Sequence, residues 1–100
     1  MDKLQILVKF DIMLTRYKNC IMNYYEIYDI LSNITINKDD QKFCFDFFIK
    51  NNFIIQDNNN NYYYTLEKRE TYKPYKNYKK ILDAISNNLI KELDFSSLNI

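Results

Sequence analysis

The stretch IKNNFIIQDNNNNYYYTLEK, residues 49–68, decides the fold. It contains two runs of β-branched and aromatic residues, FIIQ (residues 53–56) and YYYTL (residues 62–66), and five Asp and Asn residues separate them. Both runs have the composition of strands, and the segment between them has that of a turn. The stretch predicts a β-hairpin with a polar tip, in which Phe53 and Ile55 alternate with Ile54 and Gln56 across the two faces.

A helix is predicted immediately before this hairpin. It starts after Asn37, and acidic residues that suit the helix dipole occupy its first turn, namely Asp39 and Asp40. Its inward face is formed by residues at helical spacing: Phe43, Cys44, Phe47 and Phe48. Asn51 and Asn52 end the helix. Because the chain has no Gly, Asn is the expected substitute at the left-handed position after the helix.

Two further helices are predicted upstream. The first spans residues 2–17 with Asp2 as N-cap, and its wide apolar arc consists of two stripes: Leu4, Leu7, Val8, Asp11 and Leu14, and Ile6, Phe10, Met13 and Tyr17. The second starts at Asn23, which forms a capping box with Glu26. It faces inward through Ile27, Ile30 and Leu31 and ends near residues 32–33. Residues 34–36 are either a very short strand or an extended turn between helices.

A charged connector, residues 67–80, turns helical around Pro74, a residue that suits the first turn of a helix. A heptad-like seam follows and predicts a homodimer; it consists of Tyr75, Tyr78, Leu82, Ile85 and Leu89, with Ile81 and Leu93 widening it. The predicted fold class is mainly α with a small β-hairpin. The predicted units are residues 1–70, a C-terminal dimerisation helix at residues 71–95 and a loose tail at residues 96–100.

Composition narrows the possible functions. The chain has 100 residues, 47% of them apolar, which favours one globular domain. The absence of His excludes His-based catalysis and His metal sites, and the absence of Gly excludes Gly-rich phosphate loops. Cys20 and Cys44 are too few for a closed zinc site, so we expect reduced, mostly buried thiols. We expect no enzymatic activity, no cofactor and no metal. Without a signal peptide pattern or a long apolar run, we expect a cytoplasmic protein with no membrane segment.

The order of elements resembles winged helix-turn-helix domains of small archaeal, bacterial and viral transcriptional regulators, over residues 4–68. IKNNFII (residues 49–55) looks like the family's entry into the wing, which reads helix end, Gly, Leu, Ile. YYYTLEKRE (residues 62–70) looks like its exit, Tyr-x-Leu-Thr-Glu-Lys-Gly. Asn52 and Arg69 stand where the family has Gly, and Thr65 and Leu66 appear in swapped order.

The resemblance implies a DNA-binding transcriptional regulator whose partner is double-stranded DNA. Residues 38–50 would be the recognition helix in the major groove, with contacts from Lys38, Gln41 and Lys42; Gln pairs bidentately with adenine. The wing would contribute Asn58, Asn59 and Asn60, and its exit Lys68, Arg69 and Lys73. A homodimer would present two half-sites about one DNA turn apart.

The distribution of charge along the chain leaves protein binding open as a second function. Residues 23–65 hold three Lys against six Asp or Glu, a net charge of −3, whereas residues 66–80 hold six Lys or Arg against two Glu, a net charge of +4. DNA binding draws much of its affinity from cations on phosphates. The alternative is a protein-interaction module on the same scaffold, such as a small viral or mobile-element protein that docks on a host complex. A continuous positive stripe on the surface would favour DNA binding. An exposed apolar or Tyr-rich patch would favour the protein-interaction module.

Overall fold

The computed structural model describes residues 2–16, 21–66 and 74–89. This part of the chain is mainly helical with a small antiparallel sheet. In chain order its elements are α1 (Lys3–Thr15), β1 (Ile21–Met22), α2 (Tyr24–Ile34), α3 (Lys38–Lys50), β2 (Ile54–Gln56), β3 (Tyr62–Tyr64) and α4 (Pro74–Ala84), which continues as a π-helical segment, Ile85–Leu89. Within the described ranges, every helix is too short or too polar to cross a membrane.

The helices begin where the sequence predicts. Asp2 caps α1 by accepting a hydrogen bond from the backbone N of Gln5 at 2.8 Å, and Asn23 caps α2 by accepting one from the backbone N of Glu26 at 2.9 Å. Both caps are reciprocal, because the side chains of Gln5 and Glu26 accept hydrogen bonds from the backbone N of the capping residues. Asn37 caps α3. The three predicted helix starts are therefore confirmed.

Asn52 is the second residue after α3, behind the C-cap Asn51, and has a φ of 61°, in the left-handed region, as predicted. The backbone N of the next residue, Phe53, returns to the carbonyl O of Phe48 at 2.9 Å, so the chain reverses sharply from the helix into β2. Asn60 in the hairpin tip has the same φ of 61°. Left-handed backbone is costly for residues with a Cβ, and Asn tolerates it best, so Asn serves where other chains would use Gly.

The sheet has the order β1-β3-β2, and both pairs are antiparallel. The predicted hairpin of β2 and β3 is confirmed, but the sequence did not predict β1, whose Ile21 pairs with Tyr63. Residues 34–36 form no strand: α2 runs to Ile34, one residue past its predicted end near residues 32–33, and an extended turn follows. The predicted alternation of Phe53 and Ile55 with Ile54 and Gln56 is wrong. Phe53, which precedes the strand, and Ile54 are both buried, whereas Ile55 and Gln56 are both exposed.

The core joins α1, α2 and α3 to the inner face of the sheet. Phe10 and Phe48, both fully buried, pack with their ring centroids 4.8 Å apart. The other most deeply buried apolar side chains are Ile6, Leu7, Leu14, Met22, Ile27, Ile30, Leu31, Cys44, Ile54 and Ile81. In α3 the buried face includes Phe45, which the sequence analysis left out, and Phe43 is only half-buried. Burying each large side chain contributes roughly 1.5–3 kcal/mol, so this cluster dominates stability.

Cys44 is buried as expected and forms no disulfide. Burial raises the pKa of its thiol well above the ordinary value, because the interior disfavours the thiolate. The thiol is therefore a small apolar group of the core. Cys20 lies outside the described residues.

A polar cluster of three side chains is buried between α1, β3 and α4. The Tyr64 hydroxyl donates a hydrogen bond to the carboxylate of Asp11. The side-chain amide N of Asn77 lies 2.9 Å from the Tyr64 hydroxyl O and 3.2 Å from Asp11 Oδ1. Asp11 is 3% exposed and Asn77 is fully buried. Burying a carboxylate without hydrogen bonds is very costly, so the cluster fixes the relative positions of the three elements.

Helix α4 packs against α1. Its inward side chains are Asn77, Ile81 and Ala84, spaced four and three residues apart. Ile81 was expected to widen the dimer seam. It is instead fully buried inside its own chain. Beside this contact an apolar cleft of about 310 Å³ opens between the two helices, lined by Leu4, Gln5, Val8, Lys9, Ile12 and Tyr78.

Candidate functional site

The turn between α2 and α3 is held from both sides. Thr35 ends α2 in an extended conformation, and its hydroxyl accepts a hydrogen bond from the backbone N of Asn37 at 3.2 Å. The Asn37 side chain in turn accepts one from the backbone N of Asp40 at 3.0 Å, which starts α3. Three residues, 35–37, join the two helices, and the Thr35 and Asn37 side chains provide acceptors for backbone N–H groups at the junction.

Gln41 completes this turn from within α3. Its side-chain amide N donates to the Thr35 carbonyl O at 2.8 Å, and the side chain is only 9% exposed. The expectation that Gln41 lies on the exposed face of the helix is therefore wrong. The physical reason is that Gln41 shares the buried stripe of Cys44, Phe45 and Phe48, three, four and seven residues later. Its amide holds a helix junction, so we exclude it from the candidate site.

The exposed face of α3 carries both signs of charge. The predicted contacts Lys38 and Lys42 are exposed, and so is Lys50, but Asp39 and Asp46 are exposed beside them. Because the cations alternate with carboxylates along the helix, this face presents no continuous positive stripe.

The hairpin tip carries a negative charge. Asp57 is the only charged residue between residues 51 and 66. Its Oδ1 accepts hydrogen bonds from the backbone N of Asn59 at 2.8 Å and of Asn61 at 2.9 Å, and its Oδ2 accepts one from the Tyr63 hydroxyl at 3.0 Å. The backbone bonds from Asn61 and Asn59, with the Tyr63 hydroxyl, hold the pKa of Asp57 below its ordinary value, so the carboxylate is ionised at neutral pH.

The predicted wing residues Asn58, Asn59 and Asn60 are exposed at this tip. The side-chain amide N of Gln56 donates to Asn60 Oδ1 at 3.2 Å, so Asn60 takes part in ordering the hairpin. The tip has no Lys or Arg with which to hold phosphate.

An aromatic cluster is partly exposed on α2. Tyr24 is 47% exposed and Tyr25 is 81% exposed, on the first turn of α2. The ring centroid of Tyr24 lies 5.8 Å from that of Tyr25 and 4.6 Å from that of Tyr28. Phe45 lies behind them, 5.5 Å from Tyr28, and Tyr62 of β3 packs on Phe45 at 5.3 Å. The cluster therefore extends from solvent to the sheet.

Carboxylates surround this aromatic cluster. A cleft of about 450 Å³ is lined by Asn23, Tyr25, Glu26, Tyr28 and Asp29. Burial, followed by the hydrogen bond with Tyr24 and the nearby carboxylate of Asp46, raises the pKa of Tyr28 to about 12. In the sequence, Asn23 and Glu26 predict only a helix cap. The signal that would have indicated this surface is the pair of adjacent Tyr residues at the helix start, followed by two acidic residues and no Lys or Arg.

The predicted dimer seam is described only in part. Tyr78 and Ile85 are half-buried, and Leu82 is 36% exposed. For Tyr75 and Leu89 only the backbone is described, and Leu93 lies outside the described residues. The predicted DNA contacts Lys68, Arg69 and Lys73 also lie outside them.

Two surfaces are thus candidates for binding: the mixed-charge face of α3 and the acidic aromatic cluster of α2. Among residues 2–16, 21–66 and 74–89, no three His, Cys, Asp or Glu side chains are grouped so as to hold a metal ion. Comparison with protein-family models, with curated protein sequences and with solved structures gave no match.

Proposed function

We propose that the chain has a winged helix-turn-helix fold and acts as a protein-interaction module on that scaffold. In this proposal α2 and α3 are the helix-turn-helix, joined by three residues, and the β2–β3 hairpin is the wing. The pairing of β1 with β3 supports it, because this third strand attaches the wing to the helices.

The exposed aromatic cluster of α2 is the observation that supports protein binding. Tyr is enriched at protein interfaces, where its ring supplies contact area and its hydroxyl a hydrogen bond. Tyr25 exposes 81% of its surface although its neighbours Tyr24 and Tyr28 are partly packed. On the faces that would meet DNA, Asp39, Asp46 and Asp57 repel phosphates.

Affinity capture tests the proposal. The wild-type chain and the Tyr25→Ala variant are immobilised side by side. Tyr25 is 81% exposed and Ala is the best helix former, so the variant should fold. We expect partner proteins on the wild type that the variant does not retain. An identical set of proteins on both columns would refute a role for this surface.

DNA binding is the second candidate function, and the exposed Lys38, Lys42 and Lys50 on α3 favour it. In the sequence, the predicted contacts Lys68, Arg69 and Lys73 add three cations that could neutralise phosphates. The test is fluorescence anisotropy with random-sequence duplex DNA between about 50 and 200 mM salt. Micromolar binding that falls steeply with salt, and that Lys42→Glu weakens, would establish this function. Absence of binding at the lowest salt would exclude it.

We also propose a homodimer through α4. Tyr78, Leu82 and Ile85 leave part of their apolar surface outside the contact with α1. The cleft lined by Val8, Ile12 and Tyr78 adjoins them, so a second copy would cover both helices.

A further inference from the structure

We infer that the surface formed by Tyr24, Tyr25, Glu26, Tyr28 and Asp29, here named the α2 surface, binds an arginine- or lysine-rich segment of a partner protein. The inference rests on the proposed interaction function and names the chemistry of the partner. Three properties of the surface support it: its charge, its exposed rings and its rigidity.

The charge of the α2 surface is uniformly negative. Helix α2 contains Glu26 and Asp29 and no Lys or Arg, and both side chains are exposed. Asp46 of α3 adds a third exposed carboxylate near Tyr28. A cationic segment approaching this side of the molecule meets attraction, whereas an acidic segment or a phosphate backbone meets repulsion. Charge complementarity therefore selects a basic partner.

The rings supply a second attraction for the same partner. The face of a Tyr ring attracts an ammonium or guanidinium group placed within about 6 Å of its centroid. Tyr25 projects into solvent beside the Tyr24 and Tyr28 rings, and the cleft that Tyr25 and Tyr28 line also contains the two carboxylates. One arginine can thus stack on a ring while its guanidinium donates to Glu26 or Asp29. The same chain already shows such a contact elsewhere, with Lys3 Nζ 4.6 Å from the Phe43 ring centroid.

The surface is held in place before any partner arrives. The reciprocal cap of Asn23 and Glu26 fixes the first turn of α2, and Phe45 supports the Tyr24 and Tyr28 rings from below. A preorganised surface loses little conformational entropy on binding. A carboxylate can accept several hydrogen bonds, so the capping role of Glu26 leaves it able to accept one from a ligand.

The test measures the anisotropy of a fluorescein-labelled octa-arginine peptide, with a neutral Gly-Ser peptide as the control ligand. Tyr25→Leu keeps an apolar side chain but removes the ring, and we expect it to weaken binding about two- to fivefold. The double variant Glu26→Gln, Asp29→Asn removes both charges, and Gln preserves the capping box. We expect it to weaken binding about tenfold. Asp83→Asn on α4 removes one exposed carboxylate elsewhere and should leave the affinity unchanged.

Three results would overturn the inference. One is the absence of octa-arginine binding to the wild type at low salt. Another is a loss of octa-arginine affinity for Asp83→Asn as large as that for the double variant, because the peptide would then be attracted by the overall charge alone. The third is self-association of the wild type that the double variant abolishes, since the occupant would then be a second copy.

The proposed function can fail separately. If affinity capture distinguishes Tyr25→Ala from wild type but the double variant retains the same partners, the basic-partner inference fails and the interaction function stands. If Tyr25→Ala captures the same proteins as the wild type, the interaction function itself fails.

Discussion

The Tyr64 hydroxyl donates a hydrogen bond to the carboxylate of Asp11, a residue 53 positions earlier in the chain, and both side chains are buried. The bond connects the third strand to the first helix, and Asn77 connects the same pair to α4. Three elements that lie far apart in the sequence thus share one polar cluster inside an otherwise apolar core.

Removing the Tyr64 hydroxyl should destabilise the fold. Tyr64→Phe keeps the ring but leaves the buried Asp11 carboxylate with one donor fewer, which costs about 1–3 kcal/mol. Tyr62→Phe is the matched control. It removes the same hydroxyl two residues earlier in the strand, where the Tyr62 ring packs on Phe45. We expect a smaller loss in the free energy of unfolding. Urea unfolding measures both free energies. Equal stability of Tyr64→Phe and wild type would contradict the role assigned to the cluster.

Gln41 and Lys42 should respond differently to the same substitution. Gln41→Met removes the hydrogen bond to the Thr35 carbonyl and should lower the free energy of unfolding by about 1 kcal/mol. Lys42→Met changes an exposed side chain, and we expect a change of less than about 0.5 kcal/mol. Thermal or urea unfolding of the two variants decides the point. A neutral Gln41→Met would show that the amide is dispensable at the helix junction.

The left-handed position after α3 should reject a residue with an ordinary Cβ. Asn52→Ala should cost about 1 kcal/mol, since left-handed backbone is unfavourable for Ala. Asn52→Gly should stay close to wild type, because Gly adopts this conformation freely. Asn58→Ala, an exposed tip position outside the positive-φ residues, is the control and should be neutral. Similar stability of the two Ala variants in urea unfolding would refute the prediction.

The hairpin tip should weaken in acid. The pKa of Asp57 is lower in the fold than its ordinary value of 3.8, mainly because the backbone N–H of Asn61 stabilises the ionised form. A carboxylate with a lowered pKa stabilises the fold at every pH above its ordinary pKa. This contribution is lost as the pH falls through the lower pKa of the folded state. Wild type should exceed Asp57→Asn in stability at pH 7, and the gap should narrow below about pH 4. A gap in urea unfolding that does not change with pH would contradict this.

The same change at neighbouring positions of α4 should separate dimerisation from folding. Leu82→Asp places a charge at a partly exposed position and should give a folded monomer by light scattering and circular dichroism. Ile81→Asp places it at a fully buried position and should unfold the chain, because a buried unpaired charge is severely destabilising. A wild-type monomer at high concentration would refute the dimer.

Local patterns in the sequence were sufficient for the helix starts and the hairpin. Asn23 and Glu26 lie within one turn of each other, and the two β-rich runs flank an Asn-rich turn, so each feature is encoded in a few adjacent residues. Strand β1 was not predictable in this way. Ile21 and Met22 are too few to show a period, and they become a strand only because Tyr62 and Tyr63 offer them partners.

The candidate site was harder to predict because it depends on which face is buried. Gln41 is polar and is therefore expected at the surface, but its spacing to Cys44 and Phe48 puts it on the buried stripe. Tyr25 carries no local signal of the direction in which it points, and it faces solvent because Tyr28 of the same helix packs on Phe45. Asp11 stood in a predicted apolar stripe, but its partner 53 residues away has no local signature.

The buried polar cluster also sets the order in which a newly made chain can finish folding. Asn77 is synthesised 66 residues after Asp11, which takes roughly 3–13 seconds at ribosomal rates of about 5–20 residues per second. Until Asn77 leaves the ribosome, Asp11 lacks one of its final partners. Helix α4 therefore docks only after α1 and β3 have been made, and a chain that stalls before this step would expose the side of α1 that α4 covers.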